Sequence, residues 1–309
     1  MRIVSLGAGA VGGYFGGRLV EAGCDVTFLV REGRKAVLQK TGLRIESSFG
    51  NFRGPVHAVT RDEIAAPADV VMLTCKAYDL PSAIEAIGPA VGAMTAILPL
   101  LNGIAHIDQL NRIFGAERVL GGFAKIAVTM LPDGTIKHLN DWRYITFGEQ
   151  TGTMSDRLAA LKALFDRTSV VAAAVPDVMA GMWEKLVHLA TVAGATAVMR
   201  ANIGEIARTE EGSALMIELL ETNAEIAARA GFAPSAGFLD EYRALLSDRQ
   251  SLHTASMLRD MENEGPIEAD HILGFLLRKA RKHGVDDRLL RVIYVNAKAY
   301  EQRRQAGRL

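Results

Sequence analysis

The sequence predicts an α/β chain in two parts: a doubly wound parallel sheet over residues 1–175, then an all-helical unit over residues 176–309. Three observations predict it. Short apolar runs alternate with helical patterns through the first half, the signature of a sheet covered on both faces. The chain opens Met1-Arg2-Ile3-Val4-Ser5-Leu6-Gly7-Ala8-Gly9-Ala10-Val11-Gly12, a glycine turn joining a first strand to a first helix. After about Pro176 the strand signals stop and long helical periodicities take over.

The elements follow in order. Residues 2–6 read as a buried strand and 10–22 as a helix. Residues 25–30 give a second strand and 33–41 a second helix. Strands at 43–47, 56–59 and 70–74 precede a helix at 78–91. A strand at 96–99 and a helix at 105–114 continue the alternation. Strands at 119–120, 124–130, 135–139 and 144–148, with the turn Pro132-Asp133-Gly134 among them, read as an antiparallel extension before a helix at 156–168. The second part reads as helices at 178–199, 203–230, 234–246, 253–262, 267–283 and 287–303. Gly231 stops one of these and Pro234 opens the next.

Bulk composition narrows the function. Hydrophobic residues make up 49% and charged residues 23%, ordinary for a globular chain. A formal net charge of zero gives no reason to expect nucleic acid or an anionic membrane as partner. No apolar run reaches transmembrane length, and a strand starting at residue 2 or 3 leaves no room for a signal peptide. Cys24 and Cys75 fall in or beside buried strands and read as packing thiols of a reducing compartment, so a cytoplasmic protein is expected. The seven histidines are scattered and show no metal-ligand spacing, so no metal is expected.

The opening glycines carry the first chemistry. Gly7 permits the tight turn, Gly9 lets bare backbone approach a pyrophosphate, and Gly12 lets helix and strand pack closely. Ala8, Ala10 and Val11 complete the loop, and the helix start offers unpaired N–H groups to an anion. The pattern is that of a Rossmann-like dinucleotide site; a purely structural strand–helix turn is the alternative. The end of the second strand points to the cofactor. NAD enzymes usually place an acid there, whereas this chain has Val30-Arg31-Glu32-Gly33-Arg34-Lys35. A guanidinium at Arg31 can grip a 2′-phosphate, and Arg34 and Lys35 add positive potential, which favours NADP(H) over a merely solvated basic loop.

Five further positions are candidates, with plainer readings beside them. Lys76 ends a buried strand where ligands of open α/β sheets bind, or is a surface lysine starting a loop. Asn102, followed by Gly103, could hold a ribose or substrate through its amide, or simply make an Asn-Gly turn. Lys185 stands at the mouth of a helix almost free of charge after it, where desolvation shifts proton affinity; it could instead snorkel and pair with Glu184 or Glu205. Ser256 and Glu268 bracket a segment broken by Pro266, and Glu268 then falls in the first turn of a new helix, as a functional carboxylate or as ordinary helix charge.

Several of these residues lie in recurring motifs. The opening glycine loop, Arg31, Cys75-Lys76-Ala77-Tyr78, Leu101-Asn102-Gly103, Trp183-Glu184-Lys185-Leu186 and Ser256-Met257-Leu258-Arg259-Asp260 leading to Glu268-Ala269-Asp270 occur in family order. In these the chain resembles the ketopantoate reductases (2-dehydropantoate 2-reductases) over essentially its whole length. The resemblance implies that Gly7, Ala8, Gly9, Ala10, Val11, Gly12 and Arg31 hold NADPH phosphates. It places Lys76 and Asn102 near the nicotinamide ribose, with Asn102 also facing substrate, and the stretch 121–127, ending at Ala127, along the nicotinamide side. It makes Lys185 the proton donor, Ser256 a substrate ligand, and Glu268 a residue that binds substrate or cofactor and orders Lys185.

One departure affects the substrate. Where the best-known members carry asparagines one and two turns after the lysine, this chain has Leu189 and Ala193. A further asparagine before the Gly-Glu pair is Ile203 here, with Asn202 adjacent. Each lost amide contact is worth about 1 kcal/mol or more. His188, Thr196 and Asn202 are the polar groups that could compensate. The expected function is NADPH-dependent reduction of 2-dehydropantoate to pantoate. The same chemistry on another small 2-oxo acid, a non-catalytic NADP(H) sensor, and a hydroxyacid or sugar-phosphate dehydrogenase are the alternatives. The apolar helices of the second part suit either packing within one chain or a homodimer.

Overall fold

The computed structural model describes residues 1–309. They form two compact units, one of residues 1–101 with 106–178 and one of residues 102–105 with 179–309.

In the first unit the elements run β1 (Arg2–Leu6), α1 (Ala10–Glu21), β2 (Asp25–Leu29), α2 (Glu32–Thr41), β3 (Leu43–Glu46), β4 (Phe52–Gly54), β5 (His57–Val59), β6 (Val70–Leu73) and α3 (Leu80–Ile87). They continue with β7 (Ala96–Pro99), α4 (Ala105–Phe114), β8 (Leu120–Met130), β9 (Ile136–Glu149), α5 (Asp156–Phe165) and β10 (Val171–Ala174). The first sheet has the order β5-β2-β1-β6-β7 and every pairing in it is parallel. Strands β6 and β7 are apolar throughout and buried at every position, as a parallel sheet covered on both faces requires.

The later strands do not extend that sheet. They form a second one of order β10-β9-β3-β4, with β8 paired to β9. Only β8–β9 and β3–β4 are antiparallel; β9 runs parallel to β3 and to β10. The expected antiparallel extension is therefore a separate mixed sheet, and it recruits β3 from the early alternation. The burial of β3 explains this. Leu43 and Ile45 are buried while Arg44 and Glu46 are not, the alternation of a strand with one covered face.

Helix α1 lies between the two sheets. An added Cβ on Gly16 would sit 2.8 Å from the Phe28 ring of the first sheet. One on Gly13 would sit 2.2 Å from Ile136, and one on Gly17 2.6 Å from Ile45, both in the second. The run Gly-Gly-Tyr-Phe-Gly-Gly thus brings two sheets onto one helix. Tyr14, Phe15 and Leu19 fill the remaining space, with Phe15 edge-on to Phe165.

The second unit is helical: α6 (Val178–Met199), α7 (Ile203–Ala207), α8 (Gly212–Arg229), α9 (Ala236–Ser247), α10 (Ser256–Glu262), a π-helical turn (Asp270–Gly274) running into α11 (Phe275–His283), and α12 (Arg288–Gln305). The single helix expected over 203–230 is two. The chain doubles back at Gly212 so closely that a Cβ there would sit 1.8 Å from the Ile206 carbonyl oxygen. Gly284, at φ 68°, ends α11 in the left-handed conformation that glycine favours. Trp183 stacks on Phe232 at 5.5 Å and packs on Phe275 at 5.8 Å, which anchors α6 in this core. No helix is long and apolar enough to cross a membrane.

Candidate active site

The glycine loop of the first unit is built as a cradle. Gly7 has φ +89°, a conformation that strains any side chain, and its N–H donates to the Leu29 carbonyl at 2.8 Å. Gly12 is pressed against the loop: a Cβ there would lie 2.5 Å from the Gly7 carbonyl oxygen and 2.3 Å from Thr74 Oγ1. Gly9 differs. It caps α1 with extended backbone and no side-chain hydrogen bond, and a Cβ on it would meet nothing within 4 Å. The first N–H groups of α1 therefore open on space into which bare backbone faces. That shape and polarity fit a pyrophosphate.

The loop has supports that the sequence pattern does not reveal. Thr74 Oγ1 donates to the Leu6 carbonyl at 2.7 Å. Arg34 Nη2 donates to the Ala8 carbonyl at 2.9 Å and to that of Gly134 at 3.3 Å. Burial, with Arg44 nearby, holds the Arg34 guanidinium below its ordinary basicity. Lys35 is tied to Glu63 at 2.5 Å. Arg34 and Lys35 are thus engaged within the protein and do not stand as spare positive charge. Arg31, at the start of α2, is exposed.

Lys76 is half-buried just past β6, at the start of a short 3-10 turn (Ala77–Asp79). Ala127 sits where the β8–β9 register slips, between Ile126 and Val128. Its N–H is taken by Asn140 Oδ1 at 3.1 Å, so the bulge is held by a side chain.

Asn102, Lys185 and Glu268 come together in the second unit. Asn102 Nδ2 donates to Glu268 Oε2 at 3.3 Å. Glu268 is 7% exposed and stands just before the π-turn, with its carbonyl accepting the Ile272 N–H at 3.2 Å. Desolvation pushes the Lys185 ammonium down from 10.5 to about 8, and the Glu268 carboxylate partly offsets the fall. The acids once open as snorkelling partners are occupied elsewhere. Glu184 accepts from the Ser235 N–H and hydroxyl at 2.9 and 2.8 Å, and Glu205 forms a capping box with Asn202. Ser256 is the first residue of α10 and is half-buried.

Two of the polar residues near the missing asparagines are committed locally. Thr196 Oγ1 donates to the Val192 carbonyl at 2.7 Å inside α6, and Asn202 caps α7. His188 packs edge-on to Tyr242 with ring centres 4.4 Å apart. Leu189 is half-buried and Ala193 is 3% exposed.

The family model described as ketopantoate reductase PanE/ApbA matches residues 3–152, and the model of its C-terminal part matches residues 177–301. The uncharacterized oxidoreductase YkpB of Bacillus subtilis is 35% identical, with 97% of this chain and 99% of that one covered. A 2-dehydropantoate 2-reductase of Nostoc is 27% identical over 98% of this chain and 96% of its own. The crystal structure of 2-dehydropantoate 2-reductase from Geobacter metallireducens is 27% identical and superposes with a TM-score of 0.88 over 97% of this chain and 99% of that one. Fold and site together define a two-part oxidoreductase with a Rossmann-like first unit and a helical second unit. The chain belongs to the ketopantoate reductase family.

Proposed function

We propose that the protein reduces a small 2-oxo acid with NADPH, and that the acid is 2-dehydropantoate, giving pantoate for pantothenate synthesis. Residues 1–175 carry the dinucleotide and residues 176–309 the proton donor in this reading. The observation that supports it most is a desolvated lysine, Lys185, set beside a buried carboxylate that an amide holds in place. NADPH, when bound, supplies the hydride that the ketone carbon accepts. The open backbone at Gly9 and the α1 N-terminus suit its pyrophosphate, and the exposed guanidinium of Arg31 suits its 2′-phosphate.

The chain's own groups supply the rest. As the carbonyl oxygen gains charge, the Lys185 ammonium stabilises it and gives it a proton. Glu268 keeps that nitrogen protonated and Asn102 fixes the Glu268 carboxylate. Ser256 receives a polar end of the substrate. The Lys185→Ala variant is expected to bind NADPH as the parent does, by fluorescence titration, while kcat falls about 10²–10⁴-fold. Parental turnover by that variant would remove Lys185 from the role.

A second reading rests on α6. With Leu189 and Ala193 on the lysine's face and Thr196 and Asn202 engaged locally, the site also suits a 2-oxo acid with a more apolar branch. A kcat/KM comparison of 2-dehydropantoate with branched 2-oxo acids separates the two. Turnover of none of them, with NADPH still bound, would favour a sensor.

A further inference from the structure

Glu268 stands two residues before the π-turn, a geometry that is rare and often found at functional sites. The turn is gripped from two sides. The Asn102–Gly103 segment lies against it: besides the Asn102–Glu268 hydrogen bond, a Cβ on Gly103 would come within 3.0 Å of the His271 carbonyl oxygen. From α12, Tyr294 Oη donates to Asp270 Oδ1 at 2.5 Å and Lys298 Nζ donates to Asp270 Oδ2 at 2.7 Å. Arg278 Nη2 adds a 3.4 Å bond to the Asp270 carbonyl. Gly274 makes room for this, because a Cβ there would lie 3.0 Å from Tyr294 Cε2 and 3.4 Å from Asp270 Oδ1.

A lone exposed ion pair would do little here. Asp270 instead takes two donors on separate carboxylate oxygens and a third on its backbone, with an aromatic ring laid on the turn beneath. Against burial, which alone would raise it, these partners hold its carboxyl below the usual range. Resting on the reading of Lys185 and Glu268 as the reacting pair, we propose that Asp270 is a positioning residue. Clamped by Tyr294 and Lys298, it fixes the π-turn and so holds the Glu268 carboxylate at the distance from Lys185 that keeps the ammonium charged.

The test uses full-length protein free of cofactor. The pH midpoint for acylation of Lys185 by a small active ester is followed by peptide mass spectrometry in the parent, Tyr294→Phe and Lys298→Met. Tyr294→Phe changes no charge. Lys298→Met removes a positive charge, which by field alone would raise the midpoint. Release of the clamp is expected to lower it by about half a pH unit in both variants. It should also lower kcat roughly tenfold while leaving NADPH affinity unchanged. A parental midpoint in Tyr294→Phe, or a raised one in Lys298→Met, overturns the proposal. Lys185→Ala, assayed alongside, tests the underlying reading separately: its turnover bears on the donor, whereas the midpoints bear on the clamp. A variant that does not fold is replaced by Lys298→Leu, for which the same lowered midpoint is expected, and a parental or raised midpoint there overturns the proposal.

Discussion

In the proposed mechanism Lys185 determines the pH behaviour. As an acid it must enter the reaction as the ammonium, and desolvation has brought its pKa down to about 8. Rate should therefore be flat at lower pH and fall about tenfold per pH unit above pH 8, because the deprotonated fraction rises while the donor is lost. A kcat profile from pH 6.5 to pH 10 checks this, and equal rates at pH 7 and pH 9.5 would contradict it. Glu268 opposes the desolvation, so removing its charge must move the break in a definite direction. Glu268→Gln should shift the fall to lower pH, by about 1 unit if the carboxylate is the main counter-charge. A shift to higher pH would mean that Glu268 acts otherwise.

Helix α1 and the loop before it separate glycines needed for shape from one that the proposed function reserves for ligand. At Gly12 a Cβ meets backbone at 2.5 Å, so Gly12→Ala should cost about 2 kcal/mol or more and lower the urea midpoint. At Gly9 it meets nothing, so Gly9→Ala should keep the midpoint and lose NADPH affinity by about tenfold or more. Equal stability loss in both would mean that the open space at Gly9 has no binding role. Such distinctions set what the sequence could disclose. The all-apolar runs of β6 and β7 announce a parallel sheet, and the uncharged stretch after Lys185 announces a buried helix. Strand β3 follows the early alternation in sequence yet joins the second sheet, and only its alternating burial distinguishes it. Strand β10, four residues rich in alanine and none fully buried, gave no apolar signal at all. The π-turn was invisible, since over five residues its period cannot be told from an α-helix. The Lys185–Glu268–Asn102 grouping joins segments far apart in the chain, and only family motifs pointed to it. The bond from Arg34 to Ala8 had no sequence signal, because an exposed basic loop and a buried brace are spelled with the same residues.

At the scale of the whole molecule, ligand binding adds stability in proportion to occupancy, which makes cofactor choice measurable without turnover. A ligand at 100 times its Kd stabilises the folded chain by about 2.7 kcal/mol. For a chain of 309 residues that raises the melting temperature by roughly 4 °C. NADPH and NADH share the pyrophosphate that the glycine loop suits, and differ in one 2′-phosphate facing Arg31 in the proposed pose. NADPH should therefore give the larger shift at equal concentration. Arg31→Ala should bring the NADPH shift down to that of NADH and leave the NADH shift alone. The chain has no net charge, so a general attraction for anions cannot produce the difference. Because Arg31 is exposed, its hold on the phosphate is open to screening, and the gap between the two nucleotides should narrow from 50 to 500 mM salt. Equal shifts by both nucleotides in the parent protein would assign the loop to NADH as readily as to NADPH, and would leave Arg31 with no part in the selection.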